Sequence, residues 1–88
     1  MMYKVDYSKR AEKQLSKLNP QISQTIYSWI DKNLIDCENP RQHGKALVGS
    51  KAGLWRYRVG DYRIIADIND DTVTILIIEI GHRREIYD

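Results

Sequence analysis

The segment of residues 54–68 constrains the fold most, because its pattern predicts a β-hairpin with a defined strand pairing. Residues 54–59 read Leu-Trp-Arg-Tyr-Arg-Val, an alternation typical of a strand with one buried face. Gly60-Asp61 then forms a two-residue turn with glycine first, as a type II′ turn prefers. Residues 62–68 continue as the return strand.

The two-residue turn sets the register of this hairpin. It pairs Val59 with Tyr62 and Arg58 with Arg63, and the alternation places Arg56 on the face of the two other arginines. Like charges directly opposite each other cost up to about 1 kcal/mol, which indicates an anionic ligand outside the fold. The alternative is an ordinary solvated strand surface. The opposite face is apolar, with Trp55, Tyr57, Val59, Tyr62, Ile64 and Ala66.

The first third of the chain predicts one strand and two helices. Residues 2–6 form the strand, and Ser8 caps the first helix. Asn19-Pro20 ends that helix and starts the second, since Asn caps well and Pro suits the first helical position. The apolar stripes of the two helices are Ala11, Leu15 and Leu18, and Ile22, Ile26, Trp29, Ile30 and Leu34.

The remaining segments complete a βααβββ order. Residues 35–53 contain Asn39-Pro40 and three glycines and are predicted to be a long loop. Residues 72–80 form the last strand after the turn at 69–71. We therefore expect an α+β fold, with a helical hairpin on one face of a four-stranded, largely antiparallel sheet.

The end of the last strand is expected to bring further basic residues to the three arginines. Because that strand runs antiparallel to its neighbour, His82, Arg83 and Arg84 should arrive near Arg63, with Tyr87 following. Clustered arginines with a histidine and a tyrosine suit binding of a phosphodiester and stabilisation of charge on phosphorus. His82 is equally interpretable as a structural residue, and Tyr87 as packing of the chain end.

Alternation also predicts an apolar strip beside the arginines. It assigns Val73, Ile75 and Ile77 to the helix side, and places Ile65, Leu76, Ile78 and Ile80 on the arginine side. Such a strip suggests a protein partner that covers it, such as an amphipathic segment that folds on binding.

Length and composition exclude several classes of protein. Eighty-eight residues allow one domain, spanning 1–88, and the sequence lacks an apolar run of membrane-spanning length or a signal peptide. The single Cys37 excludes an internal disulfide and suits a cytoplasmic protein. We expect no cofactor and no metal, since no metal-ligand set stands out.

The hairpin and the segment Gly-His-Arg-Arg-Glu-Ile-Tyr at 81–87 together resemble the RelE/ParE toxin superfamily. The likeness extends over nearly the whole chain, and the βααβββ order matches it. Resemblance to the RelE branch implies an mRNA interferase, a toxin that binds the ribosomal A site and cleaves messenger RNA by attack of a ribose 2′-OH. It also implies a RelB-like antitoxin that forms a complex with the toxin.

The resemblance assigns roles to individual residues. Arg58, Arg63 and Arg83 fall on basic and phosphate-binding positions, Tyr87 falls on the terminal tyrosine, and His82 is added as a catalytic candidate. Arg56, Lys45, Lys51 and Arg84 are expected to bind RNA. Arginine cannot serve as a base, so His82, Lys45 and Lys51 stay open as acceptors of the 2′-OH proton. The alternative function on this fold is a ParE-type inhibitor of DNA gyrase.

Overall fold

The structure of the protein is a computed structural model that describes residues 2–86. Its elements are β1 (Lys4–Tyr7), α1 (Lys9–Lys17), α2 (Pro20–Asn33), β2 (Lys45–Ala46), a 3₁₀ turn (Gly49–Lys51), β3 (Trp55–Val59), β4 (Tyr62–Asn69) and β5 (Thr74–His82).

Both predicted helix starts are confirmed. The Ser8 side chain accepts a hydrogen bond from the Ala11 N–H, and the Asn19 side chain accepts one from the Gln21 N–H. Each bond satisfies an amide that the first helical turn leaves without a partner. Pro20 occupies the first helical turn of α2, where a missing N–H costs nothing.

The sheet has five strands in the order β1-β5-β4-β3-β2, so the four-stranded prediction is wrong by one strand. The extra strand, β2, lies in the segment predicted to be a loop, and pairs Lys45 with Arg56 and Ala46 with Trp55. β1 runs parallel to β5, and the other three pairings are antiparallel. The α+β class and the helical hairpin on one face are confirmed.

The predicted hairpin register is confirmed in full. Val59 pairs with Tyr62 and Arg58 with Arg63. Gly60 has a φ of 58°, the positive value that the first turn position of a type II′ hairpin needs.

The main core lies between the helices and one face of the sheet. It contains the side chains predicted for this side of the hairpin and of both helices, among them Ala11, Leu15, Ile26, Ile30, Leu34, Tyr57, Ile64, Ala66, Ile75 and Ile77. Val73, which was also assigned to this side, precedes β5 in a turn, where its φ is 51°.

Ile80 is a correction to the predicted faces. It is 2% exposed, pairs with Ile64 and belongs to the main core, on the side opposite the arginines. The neighbours Ile65 and Ala66 of β4 pair with Glu79 and Ile77 of β5. Ile78, between these two partners, is therefore an additional residue in β5 that forms a β-bulge. This bulge reverses the alternation for the rest of β5.

Helix α1 closes the edge of β5 beyond the end of β1. The Ser8 hydroxyl donates to the Ile78 carbonyl at 2.8 Å, and the Ile80 N–H donates to Oε1 of Gln14 at 2.7 Å. The last residues of β5 therefore have fixed positions, although no strand within the described part of the chain pairs with them on that side. Among residues 2–86, no helix is both long and apolar enough to cross a membrane.

Candidate functional site

The sheet face opposite the helices carries a cluster of cations. Cross-strand partners share a face, so the pairs Lys45–Arg56 and Arg58–Arg63 place four basic side chains together. We call these four residues the basic face. Arg58 and Arg63 form the pair directly before the closing pair of the hairpin, the type of pair whose side chains approach most closely.

The four cations differ in their access to solvent. Arg58 and Lys45 are exposed, whereas Arg56 is only 5% and Arg63 only 7% exposed. The three arginines therefore share a face, as the register predicts, but only Arg58 of the three is exposed. The Arg63 guanidinium lies against the hairpin turn, with Nη1 at 3.4 Å from the Gly60 carbonyl oxygen.

A second, small apolar cluster adjoins the basic face. It consists of Leu47, Ile65 and Ile86, with Leu54 packed against it. Ile65 is 1% exposed, so the chain itself covers this part of the apolar strip that we expected a partner to cover. The cluster connects the segment before β3, strand β4 and the segment after β5 on one side of the sheet.

Lys51 lies at the rim of the basic face, bound to a carboxylate. Its Nζ is 3.7 Å from Oε1 of Glu79, and Arg10 of α1 lies 3.2 Å from the other carboxylate oxygen. Glu79 pairs with Ile65 and so shares the face of the arginines. This carboxylate therefore ties the 3₁₀ turn and α1 to β5, while Lys51 stays partly exposed.

Arg83 and Arg84 follow β5 at the end of the hairpin. The Arg83 N–H donates to the Asp61 carbonyl at 2.8 Å, and its Nε is 3.9 Å from the Asp61 carboxylate. Both arginines are exposed. Arg83 is thus held beside the turn Gly60-Asp61, which directly precedes the strand of Arg63, as predicted. Tyr87 lies outside the described residues.

His82 is not on the face where we expected it. It pairs with Tyr62, so its side chain lies on the helix side of the sheet, away from Arg63. The two rings meet nearly edge to face, with centroids 5.4 Å apart. The bulge in β5 explains the difference, because it changes the side to which residues after Ile78 point.

The loop before β2 is anchored by contacts that the sequence did not indicate. The Tyr57 hydroxyl donates to the Pro40 carbonyl at 2.5 Å, and Arg41 donates two hydrogen bonds to Asp70. These bonds from Arg41, and a further one from Tyr3, hold the pKa of Asp70 below its usual value. Burial raises the pKa of Tyr57. The anchored loop determines where Lys45 begins β2.

Gly44 is required at the start of β2. A Cβ atom there would lie 2.1 Å from the Arg56 carbonyl oxygen, and its φ of 82° disfavours other residues. The close approach brings the Lys45 backbone into pairing with β3.

The arrangement suits recognition of a polyanion. The exposed Lys45 and Arg58 share a face with two nearly buried arginines, and the exposed Arg83 and Arg84 follow at the end of β5. Guanidinium groups bind phosphate oxygens with paired hydrogen bonds. Within residues 2–86, no group of three or more metal-ligating side chains is suitably placed to hold a metal ion. A cavity of about 430 Å³ lies on the other side of the sheet from the basic face, between α2 and the hairpin turn.

Comparison with known sequences identifies relatives over nearly the whole chain. The family model described as the ParE toxin of the type II toxin–antitoxin system parDE matches residues 5–87. The chain is 32% identical to toxin RelG of Mycobacterium tuberculosis over 99% of this chain and 98% of that protein. It is 31% identical to toxin RelE of the same organism, over 97% of this chain and 86% of that protein.

Solved structures agree with these matches. The RelBE2 toxin–antitoxin complex of M. tuberculosis superposes with a TM-score of 0.85 at 30% identity, covering 94% of this chain and all of the matched one. The isolated RelE toxin of Escherichia coli has a TM-score of 0.72 at 23% identity, covering 91% of this chain and 83% of the other, which supports the fold alone. The chain therefore belongs to the RelE/ParE superfamily of toxins from type II toxin–antitoxin systems.

Proposed function

We propose that this toxin is a ribosome-dependent endoribonuclease that cleaves messenger RNA. The observation that carries the proposal is the direct opposition of Arg58 and Arg63 on the basic face. Like charges directly opposite each other on paired strands repel, and a bound phosphate would turn the repulsion into shared attraction. The 32% and 31% identical relatives named RelG and RelE favour the nuclease branch of the superfamily.

The proposed roles follow from position and exposure. Arg58 and Arg83 contact the scissile phosphate, while Arg63, beneath them, stabilises the charge that develops there. Lys45, Lys51, Arg56 and Arg84 bind the neighbouring RNA backbone or support the residues that do. Tyr87, assigned by family resemblance, stacks on a base near the cleavage point.

The chemistry is an internal transfer of the phosphodiester. The 2′-oxygen attacks the adjacent phosphorus, the bond from phosphorus to the 5′-oxygen breaks, and the products end in a 2′,3′-cyclic phosphate and a 5′-hydroxyl. The 2′-OH proton leaves to a base and the 5′-oxygen gains a proton. Arginines stabilise charge in this reaction and take no proton, so ribosomal groups or Lys45 and Lys51 handle the protons.

We also propose that the partner of this toxin is a RelB-like antitoxin. The solved relative from M. tuberculosis is a RelBE2 toxin–antitoxin complex, and the archaeal relative from Pyrococcus horikoshii is a RelE–RelB complex. Such a partner would cover the exposed cations and keep the toxin inactive in the cytoplasm, where its ribosomal target lies.

The experiment compares purified protein on messenger alone and on programmed ribosomes. We expect cleavage only with ribosomes, cyclic phosphate ends on the upstream products, and no cleavage when the scissile nucleotide is 2′-deoxy. Equal cleavage with and without ribosomes would overturn the ribosome-dependent proposal. The matched family model carries the ParE name, so a DNA gyrase supercoiling assay is run in parallel. Inhibited gyrase with intact messenger would establish the ParE-type function instead.

A further inference from the structure

The last described turn of the chain, residues 82–86, is closed by a reciprocal pair of hydrogen bonds. Nδ1 of His82 accepts from the Arg84 N–H at 3.2 Å, and the His82 N–H donates to Oε1 of Glu85 at 3.1 Å. The His82 carbonyl accepts from the N–H groups of Glu85 and Ile86. This resembles a capping box, in which Glu85 reaches back to the His82 N–H, but histidine replaces the usual serine or threonine and accepts from the amide two residues on instead of three.

The capping box accounts for the backbone amides of the turn. The Arg83 N–H binds the Asp61 carbonyl, the Arg84 N–H binds the imidazole, and the next two bind the His82 carbonyl. Two side chains thus satisfy amides of this turn, the imidazole that of Arg84 and the Glu85 carboxylate that of His82. The turn also directs Ile86 back onto Gly81, where a Cβ atom would lie 3.1 Å from Cδ1 of Ile86.

The turn determines where two arginines stand relative to the basic face. Arg83 is held at the Asp61 carbonyl on one side, and the buried Ile86 anchors the other end of the turn beside Ile65. Loss of the cap would release the segment between these two points, which carries Arg83 and Arg84.

We infer that His82 is a positioning residue of the toxin, whose imidazole holds the C-terminal arginines for RNA cleavage. That the arginines act in RNA cleavage rests on the proposed function, and that His82 positions them rests on the hydrogen bonds of the turn. Because a backbone N–H donates to Nδ1, the neutral ring carries its proton on Nε2. That ring packs on Tyr62, on the sheet side away from Arg63, so it is not placed to take a proton from RNA on the basic face.

The test substitutes His82 by residues that differ in this one acceptor. In His82→Asn the amide oxygen takes the place of Nδ1, and asparagine is among the best caps, so kcat/KM on programmed ribosomes should stay within about threefold of wild type. His82→Gln, whose oxygen lies one bond farther out, and His82→Ala should lower kcat/KM by about 10- to 100-fold through misplaced arginines.

Amide exchange of Arg84 in the free protein, measured by NMR, is the readout independent of activity. The amide should be protected in wild type and His82→Asn, and exchange faster in His82→Ala and in Glu85→Ala, which lacks the other half of the box. If His82→Asn cleaves as poorly as His82→Ala, His82 has a chemical role and the inference is wrong. If the Arg84 amide exchanges equally in wild type and His82→Ala, the cap is absent and the inference is also wrong. A wild-type protein that does not cleave on ribosomes refutes the proposed function, and the exchange comparison then decides the cap by itself.

Discussion

Replacing Arg58 by threonine is expected to separate function from stability. Arg58 is exposed and lies directly opposite Arg63, and threonine removes the charge while keeping a residue that strands favour. Two unit charges roughly 7 Å apart repel by about 0.6 kcal/mol in water and about 2.4 kcal/mol at an effective dielectric constant near 20. Backbone carbonyls near the Arg63 guanidinium offset part of this repulsion. We expect the variant to gain about 0.5 kcal/mol, or roughly 2–4 °C in Tm for a domain of this size.

Cleavage should change far more than stability. Loss of one charged donor to a phosphate in the transition state typically lowers the rate by about 10²- to 10³-fold. The same protein preparations are used for urea denaturation and for cleavage on programmed ribosomes. RNA binding is measured in parallel at several salt concentrations. The slope of the logarithm of the binding constant against the logarithm of the salt concentration should be smaller in magnitude by about 0.7, the contribution of one phosphate contact on single-stranded RNA.

Lys13→Gln provides the matched control, because Lys13 is exposed on α1, on the other side of the sheet, and the change removes the same unit of charge. This control should cleave at the wild-type rate. A threonine variant at position 58 that unfolds at lower urea and still cleaves normally would show that Arg58 is structural. The assignment of the basic face as the RNA site would then be wrong.

Two further predictions test the supports of the site. Gly81→Ala places a Cβ atom 3.1 Å from Ile86, which is itself buried, so we expect a loss of about 1 kcal/mol in the free energy of unfolding. In the double variant Gly81→Ala with Ile86→Val, part of this lost stability should be restored. If the losses of the two single variants instead add up fully in the double variant, measured by denaturation, the close contact is contradicted. Asp70, whose pKa is lowered by Arg41 and then by Tyr3, contributes stability that is present above its ordinary pKa and is lost as the pH falls through the lowered value. Urea midpoints of wild type and Asp70→Asn should therefore differ at pH 6 and converge toward pH 2, and a constant difference would contradict the role of the carboxylate.

Local signals explain which parts of the fold were predictable from the sequence. The turn Gly60-Asp61 can close only a few hairpin geometries, and so the pairing of Arg58 with Arg63 followed from two residues. Ser8 and Asn19 were equally informative, because a cap satisfies amides that are local in sequence. Each of these features depends on neighbours within a few residues.

The errors arose where distant contacts decide the structure. Strand β2 has two residues, too few to show any alternation, and it forms because Gly44 lets the chain approach Arg56. The bulge at Ile78 lies in the almost unbroken apolar run of residues 74–80, in which a change of face leaves no mark in the pattern. That one extra residue moved Ile80 to the main core and His82 away from Arg63.

The small apolar cluster shows why the candidate site was only partly predictable. Its members Leu47, Leu54, Ile65 and Ile86 come from four separate segments, so no periodicity in the sequence connects them. Yet the cluster holds in place the 3₁₀ turn that carries Lys51 and the turn that carries Arg83, on a sheet face that neither helix of residues 2–86 covers. A cluster of four side chains stabilises these segments less than the main core stabilises β3 and β4. The cations at the rim of the basic face therefore stand on the least stable part of the site, and the pair Arg58 and Arg63 on the most stable part. Partner binding should accordingly alter hydrogen exchange first in residues 45–53 and 82–86, before the hairpin responds.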